Sequence, residues 1–82
     1  MNGRNEIKSI ARWFAKLGYG LRFWAESADL TWADLTVRWR WYLPPRVVAA
    51  KYGRGRTKLE AARSAQHRYL VEEIGERRGD YP

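Results

Sequence analysis

Hydrophobic residues recur along this chain with two periods, and the period assigns the elements. From Asn5 to Leu17, the residues Ile7, Ile10, Ala11, Phe14 and Leu17 fall on one side of a helix, while Lys8, Arg12 and Lys16 line the other at four-residue spacing. This predicts a helix with Asn5 as its N-cap, Glu6 in its first turn and Gly18 as the left-handed residue that ends it. From Tyr19 to Glu26 the period drops to two. Tyr19, Leu21, Phe23 and Ala25 alternate with Gly20, Arg22, Trp24 and Glu26, which reads as a strand, with a short helix as the alternative. Ser27 to Asp34 reads as a connection.

Alternation returns from Leu35 to Leu43. Leu35, Val37, Trp39, Trp41 and Leu43 share one parity, and Thr36, Arg38, Arg40 and Tyr42 share the other. A strand with one buried and one basic face follows, so Trp39 and Trp41 are expected inside, with Arg38 and Arg40 outside. A helix capped at Thr31, with Asp34 completing a capping box, also fits, but it turns Val37 and Trp41 away from the shared face. Pro44-Pro45 ends either element. Pro45 suits a first helical position, so a short helix is predicted over Arg46 to Tyr52, stopped by Gly53, with Arg54-Gly55-Arg56 as a flexible basic link. Thr57 and Glu60 form a capping box that opens a long helix at Lys58, running to Ile74 with Gly75 as its stop. Its stripe is Leu59, Ala62, Ala65, Tyr69, Leu70 and Ile74, interrupted by Arg63, Gln66 and Glu73, so partial burial is expected. Glu76 to Pro82 reads as a frayed tail.

These elements predict an α+β fold in which two main helices pack on a small antiparallel sheet or hairpin. A small all-α helical domain is the alternative. The 82 residues allow one domain, residues 1–82. A chain of this size buries only about 60% of its unfolded surface, so its five tryptophans are expected to supply much of the core. Two strands alone are marginal, which leaves the helices, or the second subunit of a homodimer, to cover the sheet.

Charge adds a functional direction. The net charge is +7. Residues 1–34 carry five bases against four acids, and residues 64–82 carry three against four. Leu35 to Arg63 carries eight bases (Arg38, Arg40, Arg46, Lys51, Arg54, Arg56, Lys58 and Arg63) against Glu60 alone. A concentrated positive block self-repels in isolation and attracts an anionic partner. Twelve of the sixteen bases are arginine, the side chain best suited to forked phosphate contacts and to stacking.

Catalytic and metal chemistry finds little support. There are no cysteines and one histidine, so a zinc site of the usual kind is excluded, and no metal or cofactor is expected. Ser64 and His67 lie three apart on the predicted last helix, but no neighbouring carboxylate orients the imidazole. Glu72, Glu73 and Glu76 lack the oxygen-rich loop of a calcium site, and Gly53-Arg54-Gly55-Arg56 is too short for a phosphate-binding glycine loop. The expectation is therefore a protein without enzymatic activity. No apolar run is long enough to span a membrane, and charges through the N-terminal segment break any signal sequence, so a cytoplasmic location is expected.

The order of Leu35–Leu43 as ribbon, Pro45–Tyr52 as first helix and Lys58–Ile74 as second resembles the ribbon-helix-helix DNA-binding family, over about half of the chain and as a pattern only. The first helix is shorter than that family's, and the helix and strand in front have no counterpart in it. The main expectation is a small basic nucleic-acid-binding accessory or regulatory protein, with DNA favoured over RNA. Its contact set is Arg38, Arg40, Arg46, Lys51, Arg54, Arg56 and Lys58, with Tyr42 placed to stack on a base. The competing expectation is a module that docks on a larger protein machine and regulates or inhibits it, with Trp13, Trp24 and Trp32 as exposed anchors.

Overall fold

The computed structural model describes residues 3–79. The fold is α+β, in the order α1 (Gly3–Lys16), β1 (Gly20–Ser27), β2 (Leu30–Val37), β3 (Arg46–Gly55) and α2 (Lys58–Gly79). The strands form one antiparallel sheet in the order β1-β2-β3, and this replaces the all-α alternative.

The helices follow their sequence signals closely. Gly18 has φ 91° and closes α1 with two paired hydrogen bonds. Its N–H donates to Ala15 O at 3.0 Å and the Tyr19 N–H donates to Phe14 O at 2.9 Å, which is the Schellman arrangement. At the other end α1 starts at Gly3, so Asn5 lies inside the helix and is not its cap. A Cβ at Gly3 would lie 3.6 Å from Leu59 Cδ2, so the first turn of α1 sits beside the first turn of α2. The capping box of α2 forms as expected, the Glu60 N–H donating to Thr57 Oγ1 at 3.2 Å. Gly75 does not stop α2, which continues to Gly79. A glycine costs a helix only about 1 kcal/mol relative to alanine and ends it only where the backbone turns left-handed. Of the tail predicted over 76–82, residues 80–82 lie outside the described residues, and 76–79 are helical.

The strands depart further from expectation. β1 matches the predicted Tyr19–Glu26 strand within a residue. The stretch Ser27–Asp34, read as a connection, holds a two-residue turn at Ala28-Asp29 and half of β2. β2 ends at Val37, so the predicted Leu35–Leu43 strand is mostly loop. Trp39 and Trp41, expected in the core, are 52% and 85% exposed. Alternation persists past Val37, but the partner strands do not. β1 pairs with β2 only from Thr36 back, and β3 joins at Val37↔Arg46, so among the described residues no strand pairs with residues 38–43. The predicted helix Arg46–Tyr52 is strand β3, where Val47 and Val48 are β-branched and ladder bonds to β2 override local helix preference. With that helix gone, the resemblance to the ribbon-helix-helix family does not hold.

The core joins Ile10 and Phe14 of α1, Ala33 and Leu35 of β2, Tyr52 of β3, and Ala61, Ala62 and Ala65 of α2. The small residues of α2 meet glycines on β3. A Cβ at Gly53 would lie within 3.0 Å of Ala61 O and Ala65 N, and one at Gly55 would meet Ala61 N in the same way. Gly53-Arg54-Gly55 is therefore a strand end fitted to a helix, not a flexible link. Between the helices, Trp13, Phe14, Tyr19 and Tyr69 pack edge to face, with ring centroids 5.0–5.9 Å apart. Gly3 against Leu59, Glu6 paired with Arg63, and Phe14 against Tyr69 show that α1 and α2 run parallel.

Candidate nucleic-acid interface

β3 carries the basic block along the molecule, and its two ends present two different surfaces. Its C-terminal end leads through Arg56 and Thr57 into α2. Arg54, Arg56 and Lys58 are exposed here and make no ion pair among the described residues. The Arg54 N–H donates to Ser64 Oγ at 3.1 Å, which ties the strand end to the first turns of α2. Because α1 and α2 are parallel, the positive ends of both helix dipoles point to this end of the molecule. Arg54, Arg56 and Lys58, which have no ion pair among the described residues, thus lie at the same end of the molecule as both helix N-termini, together with Glu60 in the first turn of α2 and Glu6 in that of α1.

The N-terminal end of β3 follows the loop that links it to β2, residues 38–45. Here Arg38 reaches across the loop, its Nη1 donating to Trp41 O at 3.3 Å and Leu43 O at 3.2 Å. The Leu43 N–H donates to Arg40 O at 3.1 Å. The loop is thereby folded on itself, with its aromatic side chains outward. The guanidinium groups of Arg40 and Arg46 lie 5.7 Å and 5.4 Å from the Trp39 ring. Trp41 and Tyr42 pack edge to face at 5.5 Å, and Tyr42 is 60% exposed. Beside the loop, Tyr19, Gly20, Thr36, Arg38 and Pro45 line a cleft of about 500 Å³.

The sheet face away from the helices holds the third group. Antiparallel register sets Arg22 opposite Asp34 and Trp24 opposite Trp32. Asp34, 2% exposed, accepts hydrogen bonds on both oxygens from Trp24 Nε1 at 3.1 Å, and a third from the Lys51 N–H at 2.8 Å. Arg22 adds an ion pair at 3.4 Å. Opposite Asp34 the β3 backbone bulges, since Ala33 pairs with Gly53 but Leu35 pairs with Ala49. Lys51 sits in that bulge with φ 52°. Its ammonium lies 5.0 Å from the Trp32 ring, 5.8 Å from the Trp24 ring and 3.5 Å from Glu26 Oε1. Lys51 is thus already engaged within the fold.

The seven predicted contact residues therefore separate into groups. Arg54, Arg56 and Lys58 share the corner; Arg38, Arg40 and Arg46 share the loop; Lys51 is held by the two tryptophans. At about 3.3 Å per residue, less the bulges, the ten residues of β3 separate corner from loop by roughly 25–30 Å. The three tryptophans expected as exposed anchors, Trp13, Trp24 and Trp32, are half-buried and occupied by neighbours. The exposed pair is Trp39 and Trp41. Their unbroken run with arginines and Pro44-Pro45 was the available signal, since a proline pair disfavours the strand continuation that burial requires.

Ser64, His67 and Glu72, also singled out in the sequence, lie on α2. Ser64 Oγ accepts the Arg54 N–H, and His67 is exposed. Glu72 accepts from Arg68 Nε at 2.8 Å and from the Tyr52 hydroxyl at 2.9 Å. These bonds, with Arg68 first, hold its carboxyl below the ordinary range. Burial, and then the Glu72 acceptor, push the Tyr52 hydroxyl well above its usual value. The Arg63 guanidinium likewise lowers Glu6. Among the described residues, no cluster of three or more His, Cys, Asp or Glu could hold a metal, and no helix is long and apolar enough to cross a membrane. No protein-family model matches the chain, and no curated protein or solved structure is detectably similar to it.

Proposed function

We propose that this protein is a non-enzymatic, cytoplasmic accessory or regulatory protein that binds nucleic acid through its phosphate backbone. The observation that carries this reading is the corner where Arg54, Arg56 and Lys58 stand exposed, with no ion pair among the described residues, at the shared positive end of two parallel helices. Arginine and backbone N–H groups at a helix start are the donors that phosphate oxygens accept from. No acid lies between Asp34 and Glu60 along the chain, and the acids at this end, exposed Glu60 and the Arg63-paired Glu6, are outnumbered by Arg54, Arg56, Lys58 and Arg63.

The test is the salt dependence of binding to duplex DNA, with duplex RNA alongside, followed by fluorescence anisotropy. About five ionic contacts give a log–log slope near −4 to −5. Replacing Arg54 and Arg56 together by Ala flattens the slope by about two units and leaves stability nearly unchanged, because both side chains are exposed. A slope near zero in the unaltered protein sinks the proposal. The exposure of Trp39 and Trp41 favours a second reading, docking on another protein, because tryptophan and arginine dominate binding hot spots. That reading expects negligible nucleic-acid affinity at physiological salt, and protein binding that is lost with Trp41→Ala.

A further inference from the structure

The corner accounts for the backbone of a duplex but leaves the loop at the far end of β3 unexplained. Three aromatic side chains, Trp39, Trp41 and Tyr42, are more than half exposed on a single loop. Water contact on that scale is costly for large rings, and a small fold would bury them if packing were their role. The loop is not a loose excursion. Arg38 bonds to two of its carbonyls and the Arg40–Leu43 turn closes it, so the rings are held outward in place.

The charge around these rings selects the partner. Arg38, Arg40 and Arg46 surround them, and no acid occurs from residue 35 to residue 59. A partner must therefore offer flat apolar faces and negative charge at close intervals. Nucleobases along a single strand do so, each with a π-face and a phosphate. Bases stacked inside a duplex do not offer their faces. The adjoining cleft of about 500 Å³ has room for a base, and it carries Arg38 and Thr36 on its walls as hydrogen-bonding groups.

We infer that the 38–45 loop is a stacking platform for unpaired nucleotides, and that the ligand is a nucleic acid in which a duplex adjoins a single-stranded stretch. The inference rests on the phosphate-binding reading of the corner. The two surfaces lie at opposite ends of β3, so a duplex on the corner and unpaired bases on the loop engage different parts of one ligand. Trp41 is the principal stacking side chain because it is the most exposed of the three and, among the described residues, no guanidinium lies over its ring. Trp39, with the guanidinium groups of Arg40 and Arg46 near its ring, links the stack to the phosphate contacts.

The experiment compares three ligands under one salt condition: a blunt duplex, the same duplex with a single-stranded extension at one end, and the extension strand alone. The extension is expected to tighten binding about tenfold over the blunt duplex, and to quench tryptophan fluorescence where the blunt duplex does not. Trp41→Ala, whose circular dichroism spectrum should match the parent, loses the gain and keeps the blunt-duplex affinity. Trp41→Phe keeps most of the gain. Arg54→Ala with Arg56→Ala weakens both duplex ligands together and preserves their ratio. Equal affinity of the parent for both duplexes overturns the inference and leaves the phosphate-binding reading standing. Failure to bind any of the three removes both. Vesicles of phosphatidylserine and phosphatidylcholine form the remaining arm. A blue-shifted emission on vesicles, abolished by Trp41→Ala, together with no gain from the extension, assigns the loop to a lipid surface and overturns the inference.

Discussion

Asp34 shows how much of the sheet depends on one side chain. It is buried, and its oxygens hold Trp24, the Lys51 backbone and Arg22 together across three strands. Asp34→Ala leaves an indole N–H and a backbone N–H without their acceptor, at about 1–3 kcal/mol for each buried group. A lower urea midpoint with an unchanged slope checks this, and Asp34→Asn, which keeps one acceptor oxygen, should lose less. Gly53→Ala tests the opposite contact. A methyl there meets the backbone of α2, which cannot yield as a flexible side chain can. Its cost should match overpacking of a tight core, about 1–3 kcal/mol or more. Neither role was legible in the sequence. Asp34 read as a polar residue in a connection because its partners come from β1 and from the β3 bulge, 10 and 17 positions away. Gly53 read as a stop because a glycine that admits a helix and one that ends a helix look the same in one dimension.

Elements were legible in proportion to how local their causes are. The two helices carry their own periodicity and end signals, and α2 begins at the residue the capping box names. Thr57→Ala should therefore cost about 1 kcal/mol, seen as a fall in Tm of about 4–8 °C. β1 was legible for the same reason. β2 and β3 were not, because a strand ends where its neighbour ends. Leu35 to Leu43 alternates throughout, but only residues up to Val37 have a partner strand. Ion pairs between elements contribute to the loss of stability in acid. Glu6 paired with Arg63 joins α1 to α2, and Glu72 beside Arg68 and Tyr52 joins α2 to β3. Both carboxyls are held below their ordinary value of 4.5. A carboxyl depressed in the folded state stabilises above its unfolded pKa, and that stabilisation is lost as pH falls through the folded one. The urea midpoint should thus be flat near neutrality and fall below about pH 4.5. Glu6→Gln with Glu72→Gln should remove part of that fall. The effect is modest, because both pairs are solvent-screened.

At the scale of the molecule, the positive block was legible from counting, and its division into two surfaces was not. The linear run from Arg38 to Lys58 becomes a corner and a loop because β3 separates them, and a helix had been expected in its place. This makes the identity of the pairs matter. Lys8 and Arg12 are exposed on α1, in a part of the chain where acids nearly balance the bases, so replacing both by Ala should change the salt slope for duplex binding by less than the Arg54 and Arg56 pair does. Anisotropy titrations at several salt concentrations decide between them, and equal effects of the two pairs would mean that charge is read globally rather than at the corner. The candidate stacking residues were misplaced for a similar reason. Strict alternation put Trp39 and Trp41 indoors, while the proline pair that follows them marks where the sheet lets the chain go.

The parallel run of α1 and α2 has a practical consequence for anyone who handles this protein. Gly3 lies beside Leu59, so the chain enters the fold beside the basic corner, and α2 leaves toward the opposite end, about 30 Å away along its 22 residues. A tag, surface linkage or fusion partner joined ahead of Gly3 therefore crowds Arg54, Arg56 and Lys58. The same attachment following α2 leaves them open. Sensor-chip binding to a duplex should be weak when the protein is coupled by its amino end and strong when it is coupled by its carboxyl end, so the choice of handle can decide whether an interaction is seen at all.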